Sequence, residues 1–153
     1  MTLGRDLHRW IFRYNTKGLN IKVELNKRDL TGNTYEYKEI QGQKIYCMDT
    51  ETMVTNKLLA LGERRYNRDL FDVHFFRKKG FDYKEEIIKR RKNLTLKEYL
   101  SYLLEELPHH YANNTILADG MGDVLTDEQK LRVKSHLLEE TIQLLQEYFQ
   151  HTF

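Results

Sequence analysis

Two aspartates, a lysine and a cluster of arginines near the middle of the 153-residue chain have the types and spacing that phosphate chemistry uses. Asp69 and Asp72 stand three apart in the run Arg68-Asp69-Leu70-Phe71-Asp72. That spacing puts both carboxylates on one face of a helix, at its N-terminal turn, where the helix dipole favours negative charge. Upstream, Lys57, Leu61 and Arg64 fall along one face of a preceding helix, so an ammonium and a guanidinium project toward one region. Arg64, Arg65 and Arg68 add forked donors suited to phosphate or to those same carboxylates. The pattern fits a polyphosphate site in which an aspartate orients a base or a metal. It equally fits a helix start with favourable acids and a few surface ion pairs. Glu24 is a third candidate. In the alternating run Ile21-Lys22-Val23-Glu24-Leu25 the apolar residues take the core face and Glu24 the other. A mid-strand carboxylate is tolerated on a solvated face, or required where it meets a metal or a base.

Other chemistries find little support. Cys47 is the only cysteine, which excludes an internal disulfide and a thiolate metal site; it sits in a strand-like run and is expected to be a small buried apolar residue. The six histidines (His8, His74, His109, His110, His136 and His151) have no spacing that suggests a metal site or a nucleophile pair. Asp119-Gly120-Met121-Gly122 lacks the flanking strand and lysine of a phosphate loop and reads as a turn. Net charge is only +2, but basic residues crowd between Arg64 and Lys92, which suits a phosphate-rich ligand or a solvated charged face. No apolar stretch reaches membrane-span length and no signal-peptide core is present, so the expected location is cytoplasmic.

The elements that would position these residues follow from periodicity and turn chemistry. The first part reads as β. Arg9–Tyr14 and Ile21–Leu25 form one strand pair across a turn containing Gly18, and Thr34–Ile40 and Lys44–Met48 form another across Gln41-Gly42-Gln43. The rest reads as α. Asp49 or Thr50 caps a helix to about Arg65, and Asn67 caps Arg68–Lys79, which ends at Gly80. Thr95 with Glu98 opens a helix that stops near Leu107, before Pro108. Thr126 with Gln129 opens the last helix, to about Phe149, with Leu131, Leu138, Ile142, Leu145 and Phe149 as its apolar stripe. His109-His110 is expected just after a helix end. The chain is therefore α+β, with a sheet portion over residues 1–48 and a helical region over 49–153, in one compact unit.

The string from Met53 to Phe76, M-V-T-N-K-L-L-A-L-G-E-R-R-Y-N-R-D-L-F-D-V-H-F-F, resembles the later motif block of the AbiEii/AbiGii-type nucleotidyltransferase toxins. In that family a lysine in a K-L-x-A-L helix precedes an R-D-[LY]-[YF]-D helix start, and an I-K-[VIL]-E-[IL] strand lies upstream, matching Ile21 to Leu25. The likeness spans about residues 9 to 149. It implies a polymerase-β-like core, of which the antiparallel-leaning sheet here would be a remnant, followed by a helical bundle. It also implies Mg²⁺-dependent transfer of a nucleoside monophosphate from an NTP to an RNA acceptor such as the 3′ end of tRNA, in an abortive-infection or toxin–antitoxin setting with an antitoxin as partner. Carried over, Lys57 would contact the triphosphate, Asp72 would be the acid of the later motif with Asp69 supporting it, Arg64, Arg65 and Arg68 would bind nucleotide, and Glu24 would lie near the metal.

One part of the family pattern is missing: the G-S turn followed by D-x-D, whose aspartates hold Mg²⁺. The expectation is a truncated or split member whose N-terminal half is encoded elsewhere, lost, or outside this sequence. Three functions compete: a nucleotidyltransferase that works with a complementary half, an inactive remnant that binds nucleotide, RNA or a partner, and a structural protein with no nucleotide connection.

Overall fold

A computed structural model describes residues 7–13, 20–26, 30–112 and 125–153, with the side chains of residues 7–9, 13, 20, 22, 24–26 and 134 excepted. The expected turns at Gly18 and at Asp119–Gly122, and the side chain of Glu24, lie outside the described residues. The chain divides into two compact units, residues 1–30 and 31–153.

The described residues of the first unit form one antiparallel strand pair. Strands β1 (Leu7–Arg13) and β2 (Asn20–Asn26) pair antiparallel with Trp10 opposite Val23 and Phe12 opposite Ile21. Ile21 and Val23 do not reach a core; both are exposed.

In the second unit, β3 (Tyr35–Ile40) and β4 (Gln43–Met48) form a separate antiparallel hairpin. Its connection is shorter than expected: Gln41 and Gly42 both have positive φ, the two-residue turn that matches strand twist. Cys47 is half-buried rather than core. Helices α1 (Thr50–Arg64), α2 (Asn67–Lys78), α3 (Glu85–Lys92), α4 (Leu96–Tyr111) and α5 (Asp127–Thr152) follow, giving an α+β chain with strands first. None of the described helices is long and apolar enough to cross a membrane. The core is contributed by Leu58 and Leu61 of α1, Leu70 and Val73 of α2, Ile87 and Ile88 of α3, Leu100, Leu103 and Leu107 of α4, and Leu145 of α5, all essentially inaccessible. Each such side chain contributes about 1.5–3 kcal/mol of hydrophobic free energy relative to exposure.

Local chemistry explains most helix ends. Asp49 caps α1, accepting from the Thr52 amide at 2.9 Å, and capping boxes open α4 and α5 at Thr95/Glu98 and Thr126/Gln129. Asn67 is not a cap but the first residue of α2; Tyr66 holds the cap position with no side-chain hydrogen bond. Helix α4 does not stop at Leu107. It carries Pro108 inside it, and His109 and His110 lie in its last turn. Pro108 has no N–H to give the Leu104 carbonyl, but beyond it Tyr111 is buried and donates its hydroxyl to the Arg65 carbonyl at 2.8 Å. On α5, Leu131 is exposed, and the buried line is Val133, Leu137, Thr141 and Leu145. Thr141 fits there because its hydroxyl donates to the Leu137 carbonyl at 2.6 Å.

Gly62 of α1 lies against Tyr99 and Leu103 of α4. A Cβ there would stand 2.1 Å from the Tyr99 hydroxyl and 3.2 Å from Leu103 Cδ2. Gly62→Ala is therefore expected to destabilise by about 1–3 kcal/mol through overpacking, despite alanine's better helix propensity; unchanged thermal unfolding would contradict this.

Asp49 also ties the second hairpin to the helices. Besides Thr52 it accepts from Thr34, and Lys84 Nζ lies at 2.9 Å. Burial alone would raise its pKa, but the hydrogen bonds from Thr34, Lys84 and Thr52 outweigh burial and hold the carboxyl well below its ordinary 3.8. A depressed folded-state value means that stability is fully present above the unfolded pKa and is lost as pH falls below it. Stability should thus decline below about pH 4 with an Asp49 contribution, and Asp49→Asn should flatten that acid limb in denaturant titrations.

Candidate functional site on the α1–α2 hairpin

Helices α1 and α2 are joined by a tight turn in which Arg65 adopts the left-handed conformation (φ 54°) and its amide donates to the Leu61 carbonyl. The two helices then run side by side with two ionic rungs between them. Lys57 Nζ meets Asp72 Oδ2 at 2.6 Å, and Arg64 Nη2 meets Asp69 Oδ1 at 2.8 Å. Asp69 and Asp72, three apart, face the partner helix together, while Leu61, between Lys57 and Arg64, is wholly buried.

The two rungs differ in character. Asp69 is 1% exposed, its second oxygen has no partner, and Arg64 Nε is likewise buried and unsatisfied. Asp69 is out of reach of a ligand, whereas the Arg64 side chain keeps 26% of its surface, and the pair fixes the hairpin. The Lys57 and Asp72 side chains keep 39% and 32% of their surface. An ammonium held by one carboxylate at that exposure remains accessible to an incoming anion.

The other arginines part company. Arg65 turns toward α4, donating to the Tyr102 hydroxyl at 2.9 Å and the Glu106 carboxylate at 2.8 Å. It is not brought to Lys57 and Asp72. Arg68, one helical turn from Asp72, is exposed and has no ion pair among the described residues. It lies over the Tyr66 ring at 5.4 Å, with Arg64 at 5.7 Å from the same ring. Tyr66 is half-exposed and was not singled out from the sequence, where one tyrosine in Arg-Arg-Tyr-Asn-Arg carries no periodic signal. An exposed aromatic ring beside guanidiniums suits base stacking next to phosphate.

A further polar cluster joins residues distant in sequence. Arg91 of α3 donates to Asn56 Oδ1 at 2.6 Å, to Asn33 Oδ1, and to the Thr31 carbonyl at 3.1 Å. This clamp attaches the segment before β3 to α1 and α3.

Mg²⁺ asks for several oxygen ligands in near-octahedral array. Among the described residues no three His, Cys, Asp or Glu side chains cluster closely enough to hold a metal. Asp72 is engaged by Lys57 and Asp69 by Arg64, so the α2 acids do not fit that role between them.

The arrangement is an accessible cation on α1 facing an acid on α2, with arginines and a tyrosine beside it. Its sequence matches the family model described as nucleotidyl transferase AbiEii toxin, type IV TA system, over residues 6–149. No curated protein and no solved structure matches the chain. The family match covers nearly the whole sequence, and the chain belongs to the AbiEii nucleotidyl transferase toxin family.

Proposed function

We propose that Lys57 binds the triphosphate of an NTP, that Asp72 is the acid of the later motif, and that Arg68, with Tyr66 and Arg64 beside it, extends the track for phosphates or for the acceptor strand. The transferred group is a nucleoside monophosphate and the acceptor is RNA, with the 3′ end of tRNA the first to test. Arg65, held by α4, is left out of the nucleotide contacts, and Asp69 acts through Arg64 by fixing the hairpin that carries Asp72. Glu24 and a D-x-D-bearing complementary segment are assigned the metal-side carboxylates, and an antitoxin the role of protein partner.

The observation that carries this reading is the 2.6 Å contact of Lys57 with Asp72, with both side chains still about a third exposed. A triphosphate brings several negative charges to an ammonium that otherwise meets one carboxylate, so exchange of partners is favourable. Nucleotidyl transfer depends on positioning and on neutralising charge that spreads over phosphate oxygens, which is work a lysine and guanidiniums perform. The test is transfer from radiolabelled NTP to bulk tRNA by this chain mixed with a D-x-D-bearing fragment. Label on RNA is the expected result; none at any Mg²⁺ concentration contradicts it.

A second reading rests on the same contact seen differently. Lys57 and Asp72 already satisfy each other, and the described residues offer no metal cluster, which suits an inactive module that binds RNA or a protein partner. That module keeps its partner protein when Lys57→Ala or Asp72→Ala is introduced. Its RNA affinity must fall with salt, because phosphate contacts release counterions; salt-independent RNA binding would rule it out.

A further inference from the structure

A cavity of about 210 Å³ lies between α2 and α5, away from the Lys57–Asp72 contact. Phe71, His74 and Lys78 line it from α2, on a face turned about 100–160° from Asp72. Its apolar wall is Phe71 with Val133 and Leu137 of α5, and Lys78 and Arg132 stand among its lining cations. Inside, Glu140 accepts from His74 Nε2 at 2.9 Å and from Arg132 Nη2 at 2.8 Å.

We propose that this cavity is a second ligand site, which takes one nucleoside monophosphate with its base against Phe71 and its phosphate on Lys78 and Arg132. The polar groups match those two ends. Lys78 is exposed and has no carboxylate partner among the described residues, while only one nitrogen of Arg132 is engaged by Glu140. Two cations against one carboxylate leave the cavity positive, as a phosphate requires. A carboxylate only accepts, so His74 Nε2 carries the proton toward Glu140 and Nδ1 is left as an acceptor for a base edge. Burial lowers the His74 pKa against the pull of Glu140, which keeps the ring in that neutral form near pH 7. Gln129 also lines the cavity; its Oε1 is spent capping α5, which leaves its amide nitrogen to donate. The volume lies below the roughly 300–1,000 Å³ that encloses a drug-sized ligand, so the cavity takes the base of one nucleotide while the exposed Lys78 and Arg132 hold its phosphate at the rim.

The proposal does not depend on the role given to Lys57, and its test is run in the Lys57→Ala chain, where binding at the α1–α2 hairpin is weakened, with the Lys78 and Phe71 substitutions assigning what remains to this cavity. AMP, CMP, GMP, UMP and inorganic phosphate are titrated by calorimetry, with the His74 ring resonances followed by NMR. Saturable one-to-one binding of at least one nucleotide is expected, tighter than phosphate and with displaced His74 resonances. Lys78→Ala, on an exposed side chain, should weaken it about tenfold or more, the loss of a charge-assisted contact. Phe71→Leu, which keeps apolar volume but removes the ring, should weaken it about fivefold or more. No saturable binding by any nucleotide, phosphate binding as tightly as the nucleotides, or indifference to both substitutions overturns the proposal.

Discussion

Lys57→Ala is expected to lower nucleotidyl transfer by roughly 10²–10³-fold, the effect of removing one preorganised electrostatic donor from a charge-developing site, while barely moving stability. The second half follows from exposure. With Lys57 and Asp72 each about a third accessible, the resting ion pair is screened by solvent and contributes at most about 1 kcal/mol. A pair conserving so little folding energy is free to change partners. Transfer by the complemented chain and its chemical denaturation, measured on the same preparation, separate the two halves. A large loss of stability would make Lys57 a structural residue, and unchanged transfer would remove it from the site.

Arg64→Ala should do the opposite. It strands the Asp69 carboxylate, which is 1% exposed and already lacks a partner for its second oxygen. Leaving a buried charge uncompensated typically costs about 3–5 kcal/mol, a large part of a small domain's total stability. Replacing both members by apolar residues, as in Arg64→Met with Asp69→Leu, should cost markedly less, because no charge is then left in the core. The double-mutant comparison in urea checks this. If Arg64→Ala and the double variant were equally and mildly destabilised, the buried rung would not be what holds α1 to α2.

The contrast between the rungs marks how far the sequence could be read. Features encoded in local patterns are legible: an Asp49 or Thr50 cap, both capping boxes, the strand pairs across short turns, and with them the α+β order. The meeting of Lys57 with Asp72 is legible because the hairpin turn is short and the motif spans both helices. Arg65 was not, since adjacent arginines diverge when one takes a left-handed conformation that no local pattern announces. Helix α3 was missed because Glu-Glu-Ile-Ile-Lys-Arg-Arg-Lys shows only two apolar residues, Ile87 and Ile88, although both are fully buried. Pro108 reads as a stop because its local cost is evident in the sequence and the burial of Tyr111 beyond it is not. On α5 the sequence pattern runs the apolar stripe through Leu131, whereas the buried line includes Thr141, whose hydroxyl is satisfied by its own helix. The Arg91 clamp joins residues up to 60 apart in sequence, beyond the reach of any local rule.

The central claim is that the Lys57 ammonium exchanges Asp72 for the phosphates of a nucleotide. The most direct measurement is NTP affinity of the unaltered chain, Lys57→Ala and Asp72→Asn, by calorimetry at one fixed ionic strength. The account predicts that Lys57→Ala weakens binding about tenfold or more, whereas Asp72→Asn, which frees the lysine from its competitor, binds at least as tightly as the unaltered chain. Equal affinity of the unaltered chain and Lys57→Ala would contradict it.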